Sequence, residues 1–276
     1  IIIYMINIWC YWSQGIENIP SFQLKCLKNW ETMISKDFQL NVISKKTFLE
    51  MQNDIDETFI NNFTYQQQSD IVRLCLLYDY GGIWIDITSI LTENLSWVID
   101  KFNKGYEQVG FYVRYPFCKK TTYLRENWFI AVKNPHNYII LHWKHAFMRI
   151  LNESIENNGI KNSKTWKETN KEYIPFFMKE YLSMHVANLW CIQNDNNYRQ
   201  MYKKTVYLYN ANSTALMSFS LIKGLGYKSN FPLIKFTSFD IKILDLSSKK
   251  LLQNVISNKL KNILKKYLNY ENKNLN

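Results

Sequence analysis

Apolar residues recur along this chain with two periods, and each switch between them predicts a change of element. Ile3 to Tyr11 reads as a strand. Pro20 then opens a helix on which Phe22, Cys26 and Trp30 recur at fours, and Phe38 to Ile43 reads as a second strand. Thr64, with Gln67 three residues on, forms a capping box for a helix from Tyr65 to Tyr80 that stops at Gly81, with Ile71, Leu74, Cys75 and Tyr78 as its core stripe. Further strands are expected at Ile83–Thr88, Val109–Tyr115 and Trp128–Val132, and helices around His136–Asn152 and Ile174–Ile192. Strand and helix alternate over roughly the first ninety residues, which predicts an open, mainly parallel α/β sheet that binds ligands at the carboxyl ends of its strands.

One strand carries a conflict. In YDYGGIWIDITSIL, Tyr78 to Leu91, side chains alternate so that Ile83, Ile85 and Ile87 take one face while Trp84, Asp86 and Thr88 take the other. Both faces are largely apolar, the pattern of a strand in the middle of a sheet. An ionised group is costly there unless it is paired, hydrogen-bonded or bound to a metal. Asp86 therefore requires a partner.

Composition narrows the classes. A chain of 276 residues that is 47% hydrophobic and 16% aromatic can bury a full core, which excludes global disorder. A net charge of +11 favours an anionic partner: nucleic acid, an acidic membrane face or a phosphorylated small molecule. Asn, Lys and Ile are abundant throughout, so compositional bias is an equal account of the charge. No RNP-like or helix-turn-helix pattern is present, and nucleic acid is not expected among the partners. The five cysteines, Cys10, Cys26, Cys75, Cys118 and Cys191, form no CxxC or Cys/His cluster. Zinc ribbons and disulfide frameworks are disfavoured, and a reducing, cytoplasmic setting is expected. The apolar opening, Ile1 to Trp12, lacks a basic region and a small-residue cleavage site and is too short to span a bilayer, so it reads as a core strand with Met5 as a candidate initiator. His142 and His145 are spaced to ligate a metal, but no third ligand is near in sequence.

Ser247 to Lys250 is the candidate linker, dividing residues 1–246 from a tail, 247–276. Leu251, Val255, Ile263 and Tyr267 belong to a broad apolar stripe in that tail, with Lys250, Lys261 and Lys265 opposite. Two readings stay open: a terminal helix docked on its own domain, or a basic amphipathic helix lying on an anionic bilayer, peripheral on the inner face of the cell membrane.

Asp70 and Arg73 in SDIVR lie three apart on a helical face that points away from the core stripe, and alone they read as an ordinary surface ion pair. The longer string SDIVRLCLLYDYGGIWIDITSIL resembles the Ser-Asp-x-x-Arg, then Leu-x-x-x-Gly-Gly-x-(Tyr/Trp)-x-Asp pattern of nucleotide-sugar glycosyltransferases of the GT-A fold. The likeness is to the DXD-containing sugar-binding and capsular polysaccharide synthesis families in particular. INIWCYWSQGIENIPSFQLKCLKNW resembles their opening strand, turn and first helix, ENWFIAVKNPHN their central strand, and FPLIKFT their late Lys-containing element. Together these pieces cover most of residues 6 to 240.

The resemblance implies a GT-A-type, Rossmann-like open mixed α/β sheet flanked by helices. It also implies transfer of a sugar from a UDP- or GDP-sugar to a surface glycan or its lipid-linked precursor, with retention. Asp70 and Arg73 would approach the donor's ribose, sugar or phosphates, and Asp86 would face the sugar, the ribose or a bridging metal. Asn127, just ahead of the central strand, would offer its amide to the sugar or simply form a turn. Trp12, with Trp9 behind it, would cover the nucleobase, or either would be core. Where the usual motif has a second aspartate this chain has Thr88. Mn2+ or Mg2+ would then rest on Asp86 and the diphosphate alone. The ammonium of Lys235 is the alternative means of neutralising a leaving diphosphate, unless it is only an edge-strand charge. A non-catalytic sugar-binding or scaffold protein of the capsule machinery is the competing function.

Overall fold

The computed structural model describes residues 5–113, 124–172, 180–211 and 233–237. Its first unit is a crossover: β1 (Ile6–Tyr11) and β2 (Phe38–Ile43) pair in parallel from Ile6 against Phe38 to Tyr11 against Ile43, joined through helix α1 (Ser21–Met33). Two short helices follow, α2 (Lys45–Met51), capped by Ser44, and α3 (Glu57–Asn61), capped by Asp56. The chain then enters α4 (Tyr65–Tyr80), whose start is the expected capping box of Thr64 and Gln67.

Gly81 and Gly82 turn α4 directly into β3 (Gly82–Ile85), and both adopt positive φ, 64° and 89°. The turn has no room for side chains. A Cβ on Gly82 would lie 2.4 Å from the Asn7 carbonyl oxygen, and Trp9 closes over the turn by donating its indole N–H to the Gly81 carbonyl at 2.9 Å.

The remaining elements are β4 (Ser89–Leu91), α5 (Ser96–Asn103), β5 (Gln108–Val113), β6 (Leu124–Val132), α6 (Tyr138–Glu156), α7 (Lys164–Glu168), α8 (Ser183–Asn194), α9 (Asn196–Thr205), β7 (Val206–Asn210) and β8 (Leu233–Lys235). The six-stranded sheet runs β2-β1-β3-β6-β5-β7. It is mixed rather than mainly parallel: β1 pairs in parallel with β2 and β3, and β5 with β7, whereas β6 is antiparallel to both its neighbours. This is the open mixed α/β sheet flanked by helices that the GT-A resemblance implies. α4 packs on β1, β3 and β6 and against α6, and Trp30, Trp84 and Trp143 are among the largest fully buried side chains.

Several expectations need correction. The strand expected to reach Thr88 leaves the sheet after Ile85; Asp86 still donates its N–H to the Trp128 carbonyl at 2.8 Å, and the chain then starts β4, which pairs with β8 in a separate ribbon. β6 begins at Leu124, so Asn127 lies inside a strand and not in a turn before it. The face of α4 that carries Asp70 and Arg73 is not solvated: both residues are buried, with Met184 of α8 against Arg73 and Asn127 of β6 against Asp70. Helix α6 starts at Tyr138, with Asn137 as its cap. The helix expected from Ile174 is described only from Ser183, after a turn at Glu180 to Leu182; residues 173–179 and the tail 247–276 lie outside the described residues. No described helix is long and apolar enough to cross a membrane.

Candidate active site

Asp86 stands where β3 ends and the chain leaves the sheet, at a carboxyl end as the α/β topology requires. The partners of its carboxylate come from three elements, α4, β3 and β8. Oδ1 accepts from Arg73 Nη2 at 2.8 Å and from the Trp84 indole N–H at 2.9 Å, the residue two before it on the same strand face. Oδ2 accepts from Lys235 Nζ at 2.9 Å, and the same ammonium donates to Thr88 Oγ1 at 2.6 Å. Those partners answer the conflict read in the sequence: an ionised carboxylate persists here because two cations and an indole hold it.

Helix α4 supplies the second carboxylate. Asp70 Oδ1 accepts from Arg73 Nη1 and, at 2.9 Å, from the Asn127 amide on β6. Arg73 therefore bridges Asp70 and Asp86, and its guanidinium also lies 4.7 Å from the centre of the Trp84 ring. The network runs Asn127, Asp70, Arg73, Asp86, Lys235, Thr88. It is balanced in charge, with two carboxylates against two cations.

Electrostatics follow from this packing. Burial pushes the Asp86 carboxyl up, but Lys235 and Arg73 outweigh it and hold the group below the usual carboxylate range. Burial raises Asp70 to about 6 against the pull of Arg73, with Asp86 adding to the rise. His185 on α8 is pushed down to about 3 by burial and by Arg73, so it stays neutral and leaves the balance unchanged.

Lys235 arrives by strand pairing. β8 lies antiparallel to β4 with Lys235 opposite Ser89, and the Phe236 N–H donates to the Thr88 carbonyl at 2.8 Å. β4 is itself held by α1: Asn29 exchanges two hydrogen bonds with the Leu91 backbone, and the Trp30 indole donates to the Ser89 carbonyl. The buried polar side chain of Asn29 thus acts as a stand-in for a neighbouring strand.

Trp12, Asp70, Arg73, Asp86, Thr88 and Asn127 all line one open cleft of about 450 Å³, within the usual range of small-molecule sites. Lys235 stands behind its wall, joined to Asp86 and Thr88. Trp12 is half-buried at the mouth and donates its indole N–H to the Asn18 carbonyl at 3.1 Å, whereas Trp9 is core. Tyr65 and Tyr181, both exposed, complete the rim. Sequence reasoning missed Trp84 as a partner of Asp86, although its place on the same face was the available signal. It had no signal for Tyr181 or Met184, which arrive through distant packing.

The set of oxygen donors for a divalent ion is thin. The ammonium of Lys235 already stands between Asp86 and the position where a second carboxylate would serve a metal. Among the described residues no group of three or more His, Cys, Asp or Glu is arranged to hold an ion, and His142 faces Asp195 at 3.4 Å.

The chain resembles two fungal proteins in part: O-glycosyltransferase braB of Annulohypoxylon truncatum, 29% identical over 160 residues, and glycosyltransferase afumC of Aspergillus fumigatus, 29% identical over 102 residues. These matches take in 52% and 33% of this chain but span only 37% and 26% of the relatives' own lengths. Among solved structures, the PaToxG glycosyltransferase overlaps 86% of this chain and 81% of its own at 18% identity and a TM-score of 0.38, too loose a fit to bear on the fold. The family model described as capsular polysaccharide synthesis protein matches residues 3–224, a span that includes β1, the Gly-Gly turn and every charged group of the network except Lys235. With well over half of its length matched, the chain belongs to the capsular polysaccharide synthesis protein family.

Proposed function

We propose that this chain is a glycosyltransferase that takes a sugar from a UDP- or GDP-sugar and passes it to a glycan acceptor with retention of configuration. The observation that carries this reading is the bridged pair Asp70–Arg73–Asp86, joined to Lys235 and opening into a cleft at the end of β3. Asp86 and Asn127 present a carboxylate and an amide to sugar hydroxyls, while Arg73 on the cleft wall and Lys235 behind it, joined to Asp86, are the cations nearest a diphosphate. In the reaction the bond from the anomeric carbon to the phosphate oxygen breaks and a bond from the acceptor oxygen to that carbon forms on the same face. The acceptor's proton passes to the departing phosphate oxygen, so no protein base is required. The chain's contribution is to hold the two substrates together and to stabilise charge on the diphosphate, with Lys235 in the place of a divalent ion.

A panel of UDP- and GDP-sugars read by nucleotide release tests the reading. Release from at least one donor is expected. The competing reading, a sugar-binding scaffold of the capsule machinery, draws on the same balanced network, whose carboxylates are already paired; it predicts binding without release for every donor.

The two tryptophans should separate. Trp12→Ala should weaken UDP or GDP binding by about tenfold in calorimetry, through lost stacking, and leave the melting temperature nearly unchanged. Trp9→Ala should instead cost ~3–5 kcal/mol of stability, since it empties a core position and frees the Gly81 carbonyl. Unaltered nucleotide affinity in a folded Trp12 variant rules out its stacking role.

A further inference from the structure

A second cavity of about 610 Å³ adjoins the cleft, between the first turn of α4 and the reversal that follows α6. Gln66 and Tyr181 line both spaces, so whatever occupies one is in reach of the other. We infer that this second cavity is the acceptor subsite and that it takes the uncharged, hydroxyl-rich end of a saccharide; the inference rests on the glycosyltransferase reading and gives its acceptor a place and a chemistry.

Three observations carry it. The walls are amide and hydroxyl side chains: Thr64 and Gln67 bond to each other in the capping box and Asn162 holds the turn, while the amides of Gln66 and Asn158 can both donate and accept hydrogen bonds as sugar hydroxyls require. The two charged residues of the cavity, Lys161 and Glu180, pair with each other at 2.5 Å, which leaves no net charge to attract a phosphate or a carboxylate. Tyr181, 64% exposed, stands at the junction and offers a ring face on which the C–H face of a pyranose can rest.

The far wall is preformed. Asn158 and Gly159 take positive φ, 55° and 130°, to reverse the chain after α6, and the Asn162 amide fixes the turn by donating to the carbonyls of Asn157 and Asn158. A wall that is already ordered loses little entropy when a sugar binds. A lipid-linked diphosphate lodged here would find no uncompensated cation, so the acceptor's glycan end is the part that fits.

The test uses three probes, the p-nitrophenyl glycosides of glucose, galactose and N-acetylglucosamine, with UDP and GDP titrated in parallel on the full chain. At least one glycoside should bind saturably. Tyr181→Ala and Asn158→Asp should each weaken it about tenfold, with melting curves unchanged because both positions are exposed. Asn158→Asp keeps a residue that tolerates positive φ, exchanges the amide donors for a carboxylate oxygen and adds one negative charge at an exposed position that lines only the second cavity, so at about 0.15 M salt its UDP and GDP affinities should change less than about twofold. Glycoside binding that is lost in these variants while no nucleotide binds at all would remove the glycosyltransferase reading and leave the saccharide subsite standing. No binding of any of the three glycosides, or equal binding in the unaltered chain and both variants, overturns the subsite.

Discussion

Asp86→Asn should reduce turnover by about 10²–10³-fold, the loss typical of a polar group aimed at developing charge. The asparagine keeps an oxygen for Arg73 and for the Trp84 indole, so the shape of the site survives. What it loses is the charge that faces Lys235 and half of the charge that faces Arg73. Arg73 is the more exposed to that loss in energetic terms, since its side chain is only 3% accessible and its Nε has no hydrogen-bond partner among the described residues. Stability should therefore fall too, by ~1–3 kcal/mol, less than the truncation of a fully buried ion pair because the Asp86 side chain is 26% accessible. The two effects separate by temperature. Turnover measured well below the melting transition of the variant reports the site alone, and a deficit of two orders of magnitude there belongs to chemistry. Near-normal transfer by a folded Asp86→Asn chain would end the assignment of this carboxylate to the donor, leaving it a structural anchor for Arg73.

The parts of the fold legible in the sequence were those fixed by neighbours along the chain. The capping box at Thr64 and Gln67, the stop at Gly81 and the parallel unit of β1 and β2 each rest on contacts within one element or one crossover. The parts that were not legible depend on elements far apart in sequence. SDIVR reads as a solvated face because nothing local shows that α8 will bring Met184 against Arg73 and Asn127. Arg125, Glu126 and Asn127 look too polar to open a strand, yet all three sit on β6, because the sheet supplies backbone pairing that outweighs propensity. The break after Ile85 was hidden by continued apolar alternation, and only the later pairing of β4 with β8 reveals it. The site residues themselves came from the resemblance, and the cleft gathers Trp12, Asp70, Arg73, Asp86, Thr88 and Asn127 along its wall.

If Lys235 stands in for a metal, turnover should be unaffected by EDTA, and Lys235→Met should lower it by about 10²–10³-fold. Methionine keeps most of the length of the lysine stem and removes the ammonium, so β8 should remain paired with β4 through its backbone. The variant also tests the direction of coupling. Asp86 is held below the usual carboxylate range with Lys235 as its first opposing charge, so removing the ammonium should let its pKa rise. Activity remaining in Lys235→Met should then fail on the acid side at a higher pH than in the unaltered chain. Restoring a second carboxylate completes the argument. Thr88→Asp alone places that carboxylate beside an ammonium that Thr88 now binds at 2.6 Å, and should make an ion pair rather than a metal site. Combined with Lys235→Met, it leaves two carboxylates facing an open position with no cation between them, and Mn2+ should then restore part of the lost turnover. Complete loss of the unaltered chain's activity in EDTA, recovered by Mn2+, would show that a metal carries the charge and that Lys235 serves only to hold Asp86 in place.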